Sequence, residues 1–264
     1  LHPMCGILGY VSLTGQNFQE QQAIDSGLLA LSKRGPDAGG IYTHHHVVLA
    51  HRRLSIIDTS DAGTQPMHDS TGRYTLVYNG EIYNFRSLRQ SLQQQGVTFQ
   101  SGTDTEVLLH LLASEGKAAL QKLNGFFGFA FYDKQKDYLL IARDRMGIKP
   151  LYFFQDKERF AFASELKALM KFGLPKRLYR GALLQYLHLN YVPGPDTMLE
   201  NFHKLLPGHM LEVAGGKVTN EAYYQLPLST KYEQESYSHA QEQLRELLET
   251  SVKDRLVADV PLGT

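Results

Sequence analysis

Short runs of strand length govern what this chain can fold into: Cys5 to Val11, Val47 to Ala50, Tyr74 to Tyr78, Phe126 to Tyr132, Tyr138 to Ala142, Leu151 to Phe154 and Phe160 to Ala163. They are rich in aromatic or β-branched residues, and several are apolar at every position, as strands covered on both faces are. Helical spacings lie between them: Ile24, Leu28 and Leu31; Phe85, Leu88 and Leu92; Val107, Leu108, Leu111 and Leu112. That order of strands and helices fits a layered α+β sandwich better than strict βαβ alternation.

At 264 residues the chain holds one large domain and part of another. Folding at that length buries about 70 to 75% of the unfolded surface, so neither disulfide nor structural metal is required. Lys plus Arg and Asp plus Glu number 27 each, so no net field gathers nucleic acid or an anionic membrane. No apolar run reaches membrane-spanning length, and the first residues lack the basic-then-apolar plan of a signal peptide, so a cytoplasmic location is expected. The single cysteine, Cys5, makes no internal disulfide and excludes zinc sites built on two or four cysteines. Consecutive His44, His45 and His46 point to alternate faces of an extended segment, which argues against a metal site.

After the Leu205 to Val213 segment with its Pro207-Gly208 turn, composition shifts to a polar linker from Gln225 to Ser238. A helix then follows, with Ser238 and Gln241 as a capping box. Its apolar stripe is Ala240, Leu244, Leu247, Leu248, Ser251, Val252 and Leu256. Such a stripe needs a surface to bury against, so the natural protein is expected to continue.

The polar residues suggest a site, each with a plainer alternative. Cys5 is a small core hydrophobe or a thiol near a chain start, where an α-amine of pKa about 8 can serve as base. In His51-Arg-Arg-Leu-Ser-Ile-Ile-Asp58 the arginines end a strand in solvent, or one guanidinium forks onto a substrate carboxylate. Asn79-Gly80 is a hairpin turn, or an amide N–H beside a backbone N–H as the two donors of an oxyanion hole. Thr103 or Asp104 caps the next helix, or Asp104 holds a substrate ammonium. Arg34-Gly-Pro-Asp37 reads as a turn, and Arg143-Asp-Arg-Met-Gly-Ile-Lys-Pro150 as a polar hairpin.

Together Met4-Cys-Gly-Ile-Leu-Gly9, Arg34-Gly-Pro-Asp37, His51-Arg-Arg-Leu-Ser-Ile56, Asn79-Gly-Glu-Ile-Tyr-Asn84, Gly102-Thr-Asp104 and Arg143-Asp-Arg-Met-Gly147 resemble, in order and spacing, the N-terminal class II glutamine amidotransferase domain of glutamine-hydrolysing asparagine synthetases. Ala163-Ser-Glu-Leu-Lys-Ala168 and Leu206-Pro-Gly208 extend the resemblance to about residue 225. It implies the N-terminal nucleophile hydrolase fold, a four-layer αββα sandwich, over residues 5–225, a linker over 226–238, and the beginning of an ATP-dependent synthetase domain over 239–264. It implies that Cys5 attacks glutamine with Asn79 and Gly80 as the oxyanion hole. Glutamine would be bound by Arg53, Leu54, Ser55, Ile56, Ile57, Asn79, Gly80, Glu81 and Asp104, with Arg53 on the α-carboxylate and Asp104 on the α-amine. No metal or cofactor is expected in this chain, while ATP and Mg are expected for a full-length enzyme that amidates aspartate.

Expected partners are glutamine and the synthetase domain, with a homodimer allowed and neither nucleic acid nor membrane. Two departures accompany the resemblance. Leu1 to Met4 precede Cys5, which therefore carries an amide where the mechanism needs an amine, and the Ser-Gly-Gly-x-Asp-Ser pyrophosphate loop of the synthetase domain is not in this sequence. Two other readings are an amidotransferase feeding ammonia to a different acyl-adenylate, and a catalytically dead interaction module.

Overall fold

A computed structural model of the chain describes residues 4–19, 21–54, 61–227 and 236–256. In chain order its elements are β1 Gly6–Ser12, α1 Gln21–Ala30, β2 Ala38–His44, β3 Val47–Arg53, β4 Met67–His68, β5 Tyr74–Ile82, α2 Phe85–Gln94, α3 Asp104–Glu115, β6 Gly125–Asp133, β7 Tyr138–Arg143, β8 Tyr152–Gln155, β9 Arg159–Ala163, α4 Leu166–Leu169, α5 Arg180–Leu189, β10 Phe202–Lys204, β11 His209–Ala214, β12 Lys217–Ala222 and α6 Tyr237–Asp254. One sheet runs β10-β8-β9-β1-β3-β2 and the other β12-β11-β7-β6-β5-β4. Adjacent strands pair antiparallel throughout.

The two-residue period of a strand sorts these apolar runs between two cores. Ile7, Val47, Leu49, Phe160 and Phe162 of the first sheet meet Val77, Ala130, Tyr132, Leu139 and Ile141 of the second in a layer between the sheets. The residues that alternate with them, Leu8, Val48, Ala50, Ala161 and Ala163, pack outward with Ile24 of α1 and Ala168 and Leu169 of α4. On the other side Leu76, Tyr78, Phe127, Phe129 and Phe131 pack against Phe85 and Leu92 of α2 and Val107, Leu108 and Leu111 of α3. Strands apolar on both faces are thus explained, and the four αββα layers are present.

Local readings differ at several points. Asn79-Gly80 is not a hairpin turn, because β5 runs through it to Ile82 and pairs with β6 along its length. Asn84 precedes α2 without a side-chain cap bond. Its amide instead bridges to the Lys122 carbonyl and the Asn124 N–H. The Arg143 to Pro150 segment does not join two strands of one hairpin; it carries the chain from β7 in one sheet to β8 in the other. Helix α6 begins at Tyr237, inside the expected linker. Ser236 rather than Ser238 caps it, accepting the His239 N–H. Residues 228–235 of that linker lie outside the described residues. The α6 stripe of Leu244, Leu247, Leu248, Val252 and Leu256 is exposed, while Arg255 just beyond stacks over Tyr83 at 4.7 Å and Phe126 at 5.0 Å.

Candidate active site

The alternation that builds the inter-sheet layer also delivers polar side chains to its mouth. Cys5 shares parity with Ile7, Arg53 with Leu49 and His51, and Asn79 and Glu81 with Val77, so all are directed to that layer. The register Gly6↔Arg52 brings Cys5 and Arg53 side by side at one end. Asp104, the first residue of α3, reaches the same place from the helical layer around the edge of β5. One cavity is lined by Cys5, Arg53, Leu54, Asn79, Gly80, Glu81 and Asp104. Ser55, Ile56 and Ile57 lie outside the described residues.

Cys5 is held from both sides. The Leu54 N–H donates to its Sγ at 3.4 Å, and the thiol faces the Leu54 carbonyl at 3.5 Å. Arg34, which the motif presented as part of a turn, is a buried brace: its Nε donates to the Cys5 carbonyl at 2.9 Å, its carbonyl accepts the Met4 N–H at 2.8 Å, and its Nη1 meets Glu165 at 3.2 Å. Gly35 beside it admits no side chain, since a Cβ would stand 2.3 Å from the Arg52 carbonyl carbon. Burial pushes the Cys5 thiol pKa up. The Leu54 N–H, Lys149 and Arg53 oppose that shift, and Asp104 adds to it. The resting sulfur is therefore a thiol that needs a base before it can attack.

Two donors face this sulfur's cavity from β5. Asn79 is buried, and its side-chain Nδ2 has no hydrogen-bond partner among the described residues. A buried amide N–H left unmatched is costly, and it is the feature expected where a ligand supplies the acceptor. The second donor follows from strand geometry. The Tyr78 N–H donates to Gln65 Oε1 at 2.6 Å, His51 Nε2 bonds the Tyr78 carbonyl at 3.1 Å, and the Ile82 N–H donates to Asp104 Oδ2 at 3.0 Å, all on the edge away from β6. Gly80 lies between them and its N–H turns to the same edge. Consistently, Phe127, opposite Gly80 in register, bonds Asp144 instead through both its N–H and its carbonyl. Position 80 must be glycine, because a Cβ there would come within 2.3 Å of the Phe126 carbonyl oxygen.

Asp104 accepts the Tyr78 hydroxyl at 2.8 Å as well as the Ile82 N–H, both on Oδ2. Burial raises its pKa to about 6, the bonds from Ile82 and Tyr78 pull the other way, and Glu81 adds to the rise. An anion in so poorly solvated a place is well matched to a cationic ligand group. Thr103, not Asp104, caps α3, accepting the Glu106 N–H at 3.2 Å, so capping does not account for Asp104. The cavity is also lined by residues that the sequence did not assign to the site: Met4, Gly63, Gln65, Tyr78, Thr103, Thr105 and Lys149. Tyr78 was signalled by its place one residue before Asn79, and Lys149 by the Arg143 to Pro150 motif.

Two antiparallel sheets between helical layers make up the fold of the N-terminal nucleophile hydrolases, and here Cys5 leads into the first strand at the mouth of the inter-sheet layer. Residues 4–224 match the glutamine amidotransferase domain family, and the chain belongs to that family. It is 34% identical over 265 residues to asparagine synthetase [glutamine-hydrolyzing] 3 of Bacillus subtilis, covering 99% of this chain and 43% of that protein. It is 32% identical over 275 residues to amidase chry2 of Gibberella zeae, covering 98% of this chain and 40% of that one. The chain thus spans less than half the length of these curated relatives. Among solved structures the glutamine phosphoribosylpyrophosphate amidotransferase of B. subtilis shares the fold, with a TM-score of 0.63, 21% identity, and coverage of 83% of this chain and 49% of that one. No helix among the described residues is long and apolar enough to cross a membrane.

Proposed function

We propose that residues 5–225 hydrolyse glutamine to glutamate and ammonia with Cys5 as nucleophile, and that the whole protein uses the ammonia to amidate aspartate. The observation that carries this reading is the buried Asn79 Nδ2, without a partner among the described residues, on the same cavity as the Cys5 sulfur. In the proposed reaction Arg53 takes the substrate α-carboxylate and Asp104 its ammonium, which sets the side-chain amide against Cys5. As the S–C bond forms, the thiol proton passes to the Cys5 α-amine, and Asn79 Nδ2 and the Gly80 N–H receive the developing oxyanion. Collapse breaks the C–N bond, the amine returns the proton to the departing ammonia, and water then cleaves the thioester to glutamate.

The base in this scheme requires Cys5 to begin the chain. With Met4 attached, the Cys5 nitrogen is a peptide nitrogen whose lone pair is delocalised into the carbonyl, so it accepts no proton at neutral pH. The test compares two proteins, one starting at Leu1 and one at Cys5, both termini confirmed by mass, for glutamate release. Turnover by the Cys5 protein alone is the expected result, and equal turnover by both would overturn the mechanism.

The similarity to asparagine synthetases supports aspartate as the acceptor, activated with ATP and Mg in the whole protein and working in the cytoplasm; no residue of this chain is assigned to either cofactor. The comparable similarity to a fungal amidase favours a second reading, in which ammonia goes to another activated carboxyl group. Product analysis with the whole protein, ATP and aspartate distinguishes them, since the first reading requires asparagine.

A further inference from the structure

Lys149 lines the cavity with Cys5, and its Nζ donates to the Met4 Sδ at 3.7 Å, so the ammonium lies beside the residue whose removal would free the Cys5 amine. Its backbone is clamped from both sides. Asp144, fully buried, accepts the N–H groups of Met146 at 3.1 Å, Ile148 at 2.9 Å and Lys149 at 3.0 Å. Arg143 donates from Nε to the Lys149 carbonyl at 2.7 Å and from Nη2 to the Gly147 carbonyl at 2.5 Å, while its Nη1 holds the Leu205 carbonyl. A buried acid and a guanidinium that together fix the backbone of one lysine explain why the segment between β7 and β8 is more than a connection.

We propose that Lys149 is a positioning residue for the Cys5 centre, its ammonium fixing how many protons the Cys5 amine and thiol hold between them. The inference rests on Cys5 being the amine-activated nucleophile. Attack needs the pair neutral overall, as thiol with free amine or as thiolate with ammonium, and the proton that moves does so within the pair. A fixed cation alongside disfavours the extra proton that would make the pair cationic, so the active form persists to lower pH. Lys149 itself neither gives nor takes a proton.

Among the described residues, the other charged and titratable groups around Cys5 do not duplicate this role. Arg53 contributes the same sign from β3 but, in the proposed function, is neutralised by the substrate carboxylate. Arg34 is paired with Glu165. Asp104 on α3 opposes the cations, with the Tyr78 hydroxyl bonded to it, and Glu81 lines the cavity from β5.

The experiment uses the protein starting at Cys5 and its variants Lys149→Met, Lys149→Gln and Lys149→Arg. The first readout is the pH profile of kcat/KM for glutamate release. Cys5 is the chain's single cysteine, so alkylation by iodoacetamide against pH is a second readout that needs no turnover. Loss of the charge should move the acid limb and the alkylation midpoint upward by roughly half a pH unit or more, and Lys149→Arg should keep both at the parent value. If Lys149→Met does not fold, Lys149→Gln, which retains a polar head, takes its place. An unmoved limb and midpoint would overturn the proposal, even with a uniform loss of rate, since that would make Lys149 loop support only. A parent that alkylates normally but releases no glutamate would overturn the Cys5 reading instead, while the midpoint would still judge Lys149.

Discussion

The Tyr78 carbonyl bonds His51 Nε2 at 3.1 Å, and through this contact the strand that carries Arg53 in one sheet is tied to the strand that carries Asn79 in the other. A carbonyl only accepts, so the imidazole must carry its proton on Nε2. Burial holds the His51 pKa down at about 3, the bond to Tyr78 pulling upward and Arg53 and Arg52 pushing further down. The ring is a neutral strut at any working pH.

This strut has a stability signature. An unfolded histidine titrates near 6.5, so below that pH the unfolded chain binds a proton that folded His51 refuses, and stability falls as pH drops from about 6.5 toward 3. Between pH 7 and pH 5 the loss from this one group should be on the order of 2 kcal/mol. His51→Gln should flatten the slope by that amount. Urea denaturation of parent and variant at both pH values checks it, and parallel slopes would show that His51 is not held neutral.

Arg53→Lys should raise KM for glutamine roughly tenfold or more, because a point charge replaces a planar fork and at least one charge-assisted hydrogen bond is lost. Arg53 is buried next to Cys5, so a lysine ammonium there is also poorly solvated. The measurement is steady-state glutamate release by the protein starting at Cys5. An unchanged KM would remove Arg53 from the carboxylate site.

The sandwich was legible in the sequence because its strands are apolar on both faces, and each face has a separate core to fill. The site was legible through motifs, Cys5, Arg53 and Asn79-Gly80 beside strand-like runs and Asp104 at a helix start, whose joint order resembles a known family. Asn79-Gly80 stays open between a turn and an oxyanion hole because Asn-Gly is a strong local hairpin signal. What keeps it in a strand is its pairing with Phe127 and Gly128 of β6, far along the chain, which no local window contains. Arg34 and Arg143 likewise look like loop arginines until their partners are known, and those partners, Cys5, Glu165 and Leu205, lie far along the chain. Lys149 was signalled only as part of the Arg143 to Pro150 motif, which by itself reads as a polar hairpin; its place beside Met4 comes from the fold.

Asn79→Ala should lower kcat for glutamine hydrolysis roughly 100- to 1,000-fold, the usual cost of one lost oxyanion donor. KM should change much less, because the charge that Nδ2 serves exists mainly in the transition state. Loss of the Nδ2 donor removes no hydrogen bond from the fold itself, since that N–H has no partner among the described residues. A kcat within a few-fold of the parent would show that the oxyanion is held elsewhere.

Asp104 joins substrate binding to stability with opposite signs. Its pKa is raised by burial to about 6, so in the absence of glutamine the folded state holds a proton that the unfolded state, titrating near 3.9, has already released. That contribution to stability is full below the unfolded value and is lost as pH rises through about 6, amounting to on the order of 1 kcal/mol between pH 5 and pH 7. Binding runs the other way. Only the ionised carboxylate attracts an ammonium, so KM for glutamine should rise as pH falls below about 6, and bound glutamine should draw the Asp104 pKa down. Asp104→Asn should therefore raise KM strongly at pH 7, abolish the part of the KM dependence centred near pH 6, and leave the glutamine-free domain no less stable than the parent at pH 7. Glutamate release across pH and urea denaturation without substrate are the two measurements. A variant that loses stability at pH 7 while keeping its KM would make Asp104 a structural acceptor for Tyr78 and Ile82, not the site of the substrate ammonium.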